Sequence, residues 1–348
     1  MRLHLSGRLL GPAAFLLLTP MLPAQAPAPQ TTVINRDASV YSEATGKTFV
    51  VDSSHDSIAV ISPKKPSASI KVDAHPIALA LNRRTGMLYT VNSGSRSVSV
   101  IDTRTNAVTA TVPTAARPYA IAVDEVANKV YVSNTFSNML TVVDGGTNTV
   151  SNLRTGSADA ILTDSDRQRV YLLGYESDTV TELDPATGTT TKLPVGAMHL
   201  WGMARAGKTL YVSHVQDAEI AAIDLETHAI HTLPTGKMPC VIVIGASGLI
   251  YVANYADGTV TILDKDHPPA TVAVSPHPQA LALDEQAGLL YVASPQQDTV
   301  TVIDTRTRRI RKRLNGLSHP YAVALNPSTH QAYAVNLGET PFTPLDRP

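Results

Sequence analysis

The sequence predicts an all-β chain, a single β-propeller of four-stranded antiparallel blades, and three observations lead there. A tyrosine-led strand returns along the chain at steps of 40 or 42 residues. Each step holds four short runs of β-branched and apolar residues separated by turn-forming residues, and no amphipathic helical run interrupts them. A steady period of this length is the mark of a repeat architecture in which each unit is one supersecondary element.

The copies run in order from Phe49-Val50-Val51-Asp52 through Tyr89-Thr90-Val91-Asn92, Tyr131-Val132-Ser133-Asn134 and Tyr171-Leu172. They continue with Tyr211-Val212-Ser213, Tyr251-Val252-Ala253-Asn254, Tyr291-Val292-Ala293 and Tyr333-Ala334-Val335-Asn336. Within the third copy the four strands read Tyr119 to Val123, Val130 to Ser133, Leu140 to Val143 and Val150 to Leu153. The third strand alternates strictly, as in Thr259-Val260-Thr261-Ile262, which sends branched apolar groups to one face and hydroxyls to the other. A sheet of this kind cannot hide its apolar faces alone, so neighbouring blades must cover it around a ring. Each buried second-strand aromatic is then expected to contribute about 1.5 to 3 kcal/mol.

The third strand ends in aspartate at Asp102, Asp144, Asp184, Asp224, Asp264 and Asp304. A metal array is one reading of these six carboxylates. Their spacing, once per blade before runs such as Thr103-Arg104-Thr105-Asn106, fits better a repeated hairpin turn in which the carboxylate accepts from nearby backbone N–H groups. The pattern is broken by Gly174, His214 and Ser294 where other copies carry Asn, and by Glu182 where the third strand should be apolar.

Together the Tyr-Val-x-Asn strand, the Val-x-Val-Ile-Asp strand and the Pro-x-x-Ile-Ala-Val strand resemble those of the YVTN-repeat β-propeller family, over essentially the whole chain after its first residues. The resemblance implies an extracytoplasmic propeller and a commoner count of seven blades. Register instead favours eight. Ala38 to Tyr41 reads as the first innermost strand, and Pro341 to Asp346 reads as the third strand of the last copy, with two prolines in it. Thr31 to Ile34 resembles an outermost strand such as Thr109 to Val112, and is expected to complete the last blade by pairing the two ends of the chain, which would remove an open edge.

Residues 1–26 read as a cleaved signal peptide. Arg2 and Arg8 precede or begin an apolar run from Leu9 to Leu22, and Ala24-Gln25-Ala26 supplies the small residues of a cleavage site. Gly11, Pro12 and Pro20 weaken a membrane anchor, no Cys follows for lipidation, and residues 27–30 form a short Pro/Ala leader before the propeller at 31–348. The expected location is periplasmic or secreted. The single Cys240, in an apolar run, is expected to be a buried inert thiol.

Lys and Arg number 28 against 29 Asp and Glu, a net charge of −1, which gives no basic surface for nucleic acid. A partner is therefore sought on the propeller itself. Innermost strands line the central channel, and the loops entering them form its rim. His75, Arg117, Met238, His277 and His319 each precede a proline in that register. His277, His319, Asn35 or Arg36, His75 and Arg117 would form one arc, polar and partly cationic, suited to a carboxylate, phosphate or polar peptide group. Tyr119 and Tyr321 add aromatic contact, and the opposite arc carries Ser157, Met198 and Met238. The bland alternative is that a residue before Pro adopts an extended conformation and its imidazole packs beside the next blade or faces water. His199 and Trp201, in a diverged innermost strand, are a second channel-facing pair. Equivalent positions around a channel are too far apart to share a zinc ion, so no metal is expected.

No Cys-x-x-Cys-His, Gly-x-Ser-x-Gly, phosphate loop or zincin motif is present. The leading expectation is a non-enzymatic binding scaffold for a protein, peptide or envelope polymer, monomeric and without cofactor. One alternative is a lactonase-like hydrolase, for which Asp159 is the lone acid in register. Another is a cofactor-binding propeller resembling the haem d1 domain of nitrite reductases.

Overall fold

The computed structural model describes residues 30–33, 38–62, 65–135, 137–338 and 340–345. The signal-peptide reading, the residues 27–29 of the leader, Ile34, Asn35, Arg36 and Asp346 fall outside them. The described chain forms eight antiparallel sheets, so the fold is an eight-bladed propeller. Two short 3-10 turns, Ser53–His55 and Pro295–Gln297, are the helical content of the described residues.

The innermost strands, in blade order, are Ser39–Ser42, Pro76–Asn82, Pro118–Asp124, Ala160–Asp164, Leu200–Ala206, Pro239–Ile244, Ala280–Asp284 and Pro320–Asn326. Second, third and outermost strands follow by simple hairpins in seven of the blades, and the eighth has three strands, the last Phe342–Leu345. The aromatic of each second strand sits between its own blade and the next. Tyr89 of blade 2 packs with Ile121 and Val130 of blade 3, and Tyr131 packs with Ile161 and Val170 of blade 4. Tyr171 likewise meets Leu200 and Leu210 of blade 5. Loss of water around these phenols makes ionisation costly, and burial pushes Tyr131 up to about 12.

All six third-strand aspartates do the turn work expected of them. Asp144 Oδ1 accepts from the N–H groups of Gly146 and Thr147 at 2.9 and 3.0 Å, and Asp224 Oδ1 accepts from Glu226 and Thr227 at 2.9 Å each. The same turn recurs at Asp102, Asp184, Asp264 and Asp304. Glu182 is half of an ionic patch: Arg169 lies 3.5 Å from it and 3.1 Å from Asp184, and His228 of blade 5 lies 3.7 Å away. Cys240 is buried, its thiol directed at the carbonyls of Ala253 and Pro278.

The closure differs from the expectation. Gln30–Val33 does not complete blade 8; it pairs antiparallel with the innermost strand of blade 5, Gln30 opposite Arg205 and Val33 opposite Gly202. An innermost strand leaves its channel-facing edge unpaired, and such an edge accepts an added strand. The third strand of blade 8 is a poorer acceptor because Pro341 and Pro344 remove backbone donors there. The ring closes through side chains instead. Tyr333 and Val335 of blade 8 share one apolar cluster with Phe49 and Val50 of blade 1, Tyr41 Oη bonds Ser328 Oγ at 2.8 Å, and Ser54 Oγ donates to Gly338 O at 2.9 Å.

Candidate functional site

The rim residues stand where the chain turns from one blade into the innermost strand of the next, and the backbone there is unusual. His75, Arg117, His199, Met238, His277 and His319 all have positive φ, between 50° and 59°. This corrects the expectation of an extended conformation before proline. Except at His277, where Pro295 has no N–H to offer, the left-handed corner aims the carbonyl back at the end of the second strand in the same blade: Ser93 N–H donates to His75 O at 2.9 Å, Thr135 N–H to Arg117 O at 3.0 Å, and Tyr255 N–H to Met238 O at 2.9 Å. A non-glycine residue held this way costs about 1 to 2 kcal/mol, and strain of that kind persists where the surroundings over-determine it.

The predicted arc is spread along the rim. His75 is exposed, and its N–H donates to Asp56 Oδ1 at 2.9 Å. His319 is exposed; its N–H donates to Asp298 Oδ1 at 2.9 Å, and its Nδ1 lies 3.2 Å from the same oxygen. His277 is half-buried under the ring of Tyr255, centroids 4.7 Å apart, and Tyr255 Oη accepts from Gln296 Nε2 at 2.8 Å. Arg117 is exposed. Tyr321 lies in the apolar core between blades 8 and 1 rather than on the rim.

Tyr119 joins Trp201, one of the second candidate pair, at a cavity of about 740 Å³ over blade 4, whose lining does not include His199. Three aromatic rings line it: Tyr119 from the innermost strand of blade 3, Trp201 from that of blade 5, and Tyr175 from the loop after the second strand of blade 4. Tyr175 stands edge-on to Trp201, with centroids 5.9 Å apart and planes at 81°, and leans on His199 at 5.1 Å. Gln216 Nε2 donates to His199 Nδ1 at 3.1 Å, and Glu176 Oε2 lies 4.0 Å from its other nitrogen. The loop is set by short-range bonds: Tyr175 N–H donates to Asp159 Oδ2 at 2.8 Å, and Ser177 N–H donates to Gly174 O at 3.1 Å. Asp159, the one acid expected for hydrolytic chemistry, is thus engaged in holding the loop.

The cavity coincides with a break in the repeat. In blades 2, 3, 6 and 8 an asparagine ends the second strand and its amide donates to a third-strand hydroxyl: Asn92 to Ser99, Asn134 to Thr141, Asn254 to Thr261 and Asn336 to Thr343, at 2.8 to 2.9 Å. Blade 4 has Gly174 in that place. With no side chain there, Thr181 Oγ1 accepts instead from Lys192 Nζ at 2.5 Å, and Gly174, Thr181 and Lys192 all line the cavity. Asp178 and Glu176, both exposed, complete its mouth. The sequence showed Gly174 only as an irregularity; its value as a site signal lay in reading which contact the missing amide would have filled.

No protein-family model and no curated protein matches the sequence. Solved structures match it by fold. The chain is similar to Kuenenia stuttgartiensis hydrazine synthase at 18% identity and a TM-score of 0.58, over 90% of this chain and 96% of that one. It is similar to the dihydro-heme d1 dehydrogenase NirN in complex with DHE at 12% identity and a TM-score of 0.66, over 86% and 76% of the two chains. It is also similar to virginiamycin B lyase from Staphylococcus aureus at 12% identity and a TM-score of 0.61, over 76% and 95%. At these identities the likeness establishes the propeller and nothing finer.

Proposed function

We propose that this chain is an exported propeller of the YVTN-repeat type that acts as a non-enzymatic binding scaffold, holding a small molecule or an extended segment of a protein, peptide or envelope polymer at the channel mouth over blade 4. One observation carries the reading: beside Gly174, which stands where other blades carry an asparagine, a cavity of about 740 Å³ is lined by Tyr119, Tyr175 and Trp201. A concave, largely apolar site of this volume with a few convergent polar groups is what a small ligand or an anchoring side chain requires. Support for binding without turnover comes from Asp159, whose carboxylate accepts from the Tyr175 N–H and so serves the loop.

The test is capture from an extracytoplasmic extract with the wild-type chain and with a Tyr175→Ala/Trp201→Ala double variant, followed by mass spectrometry of what is retained. A molecule held by the wild type, lost from the variant and recovered chemically unchanged is the expected result. Equal retention by both, or recovery as a reaction product, contradicts the reading.

A second reading, a flat cofactor over the channel, draws on the four rim imidazoles His75, His199, His277 and His319 in one backbone conformation and on the likeness to a propeller solved with DHE. A visible absorption band in the chain purified from its native host supports it; a featureless spectrum with retention of a colourless ligand excludes it.

A further inference from the structure

We infer that the ligand of the blade 4 cavity is cationic: an ammonium or guanidinium group held against the faces of Tyr175, Trp201 and Tyr119 and countered by Glu176 and Asp178. The inference rests on the cavity being the binding site and adds the chemical class of what enters it.

The aromatic rings supply the first half of the argument. The face of a tyrosine or tryptophan ring is electron-rich, and a cation within about 6 Å of its centroid is attracted to it, most strongly where water is excluded. Tyr175 and Trp201 meet edge to face at 81°, so at least one of the two rings keeps faces that its partner does not cover. Both line the cavity together with Tyr119.

The charges supply the second half. Three carboxylates, those of Asp159, Glu176 and Asp178, line the cavity against one lysine, Lys192. Lys192 donates to Thr181 Oγ1 at 2.5 Å and keeps its positive charge, so three carboxylates against one ammonium still leave the lining negative. Asp159 is occupied by the Tyr175 N–H. Glu176 keeps a side chain that is 83% exposed, with His199 only at 4.0 Å, and Asp178 forms no ion pair among the described residues. The charge left to meet a ligand is therefore negative, on a chain whose net charge is only −1. An anionic ligand, the class expected from the opposite arc of the rim, would meet like charge here. The volume of about 740 Å³ takes a cationic head and the chain that carries it.

The experiment uses a built-in reporter, since Trp201 is the one tryptophan in the sequence. The full chain is titrated at constant ionic strength with choline, with Nα-acetyl-arginine amide, with the neutral tert-butyl isostere of choline and with acetate, following tryptophan emission. The first two separate a small quaternary ammonium from a basic side chain. Saturable emission change with at least one cation is expected, with the neutral isostere and acetate at least about tenfold weaker. The Glu176→Gln/Asp178→Asn variant should weaken the cation about tenfold while leaving the denaturant midpoint unchanged. Equal binding of the neutral isostere or acetate, or equal cation binding by the variant, overturns the inference. If capture depends on Tyr175 and Trp201 but no cation saturates, the cation assignment fails and the site stands. If capture does not depend on that pair, both fall.

Discussion

Tyr333 in blade 8 and Phe49 in blade 1 are buried in one apolar cluster, and that shared burial joins the last blade to the first. No strand from the start of the chain is needed for the join, because Gln30–Val33 lies on the blade 5 side of the channel. Removing residues 1–33 should leave the far-ultraviolet circular dichroism and the denaturant midpoint essentially unchanged. Tyr333→Ala should lower stability by about 3 to 5 kcal/mol, the range for deleting a large aromatic from a packed core. Loss of cooperative unfolding on truncation would show that the terminal strand closes the ring after all.

Gly145 is a second fixed point between blades. A Cβ placed there would come within 2.8 Å of Tyr89 Oη and of Asn128 Cγ. Gly145→Ala is expected to cost about 1 to 3 kcal/mol by overpacking, read as a lower urea midpoint at unchanged slope. An unchanged midpoint would mean that blades 2 and 3 are looser at this turn than their buried neighbours indicate.

Acid should destabilise the ring through its turns. Two backbone N–H groups, of Thr227 and Glu226, hold the Asp224 carboxyl down to about 2, and the Lys129 ammonium with the Thr147 and Gly146 N–H groups holds Asp144 lower still. Asp102, Asp184, Asp264 and Asp304 are depressed as well, chiefly by the Arg104 side chain at the first and by backbone N–H groups at the others. A carboxyl whose folded value lies below its unfolded value of 3.8 stabilises the fold above that pH and loses the contribution as pH falls toward 2. Urea midpoints should therefore fall steeply below pH 4, after a smaller loss that sets in below about pH 6.5, where the buried His214, its pKa lowered by desolvation, is favoured neutral by the fold and charged in the unfolded chain. An Asp144→Asn/Asp224→Asn variant should show a shallower fall; an identical profile would remove the turn aspartates from the account.

Cys240 should be silent in the native state. Burial pushes its thiol up to about 12, and it is 1% exposed. Reaction with a thiol-specific disulfide reagent at neutral pH should track global unfolding across a denaturant series. Rapid native-state labelling would show that blade 6 opens locally.

Much of this architecture was legible in the sequence because its signals are periodic. The tyrosines at 40- or 42-residue steps, the alternating third strands and the six turn aspartates each repeat a local rule, and the structure uses them as those rules require. The closure was not legible, because spacing constrains chain length and not partner. Gln30–Val33 is separated from Ser39 by five residues, the same number that separates Arg154 from Ala160 between blades 3 and 4, so the register fitted an outermost strand that the fold does not form. At the rim, the histidines before prolines stood out in the sequence. The cavity, however, is assembled from several elements: the gap at Gly174 is only one part of its lining, beside the hydroxyl of Thr181 and rings from two other blades. Such a signal is visible only once neighbouring blades are in place.

The most direct measurement is therefore to restore the missing side chain. Gly174→Asn puts back the amide that Asn134 and Asn254 supply in their blades; its Cβ would sit 3.0 Å from Ser157 O, which must yield by a few tenths of an ångström. The affinity of this variant for the molecule captured by the wild type should fall at least about tenfold, or 1.4 kcal/mol, while the urea midpoint shifts by no more than about 1 kcal/mol in stability. Undiminished affinity in a folded Gly174→Asn chain would show that the ligand binds elsewhere and that the gap in blade 4 is a structural accident.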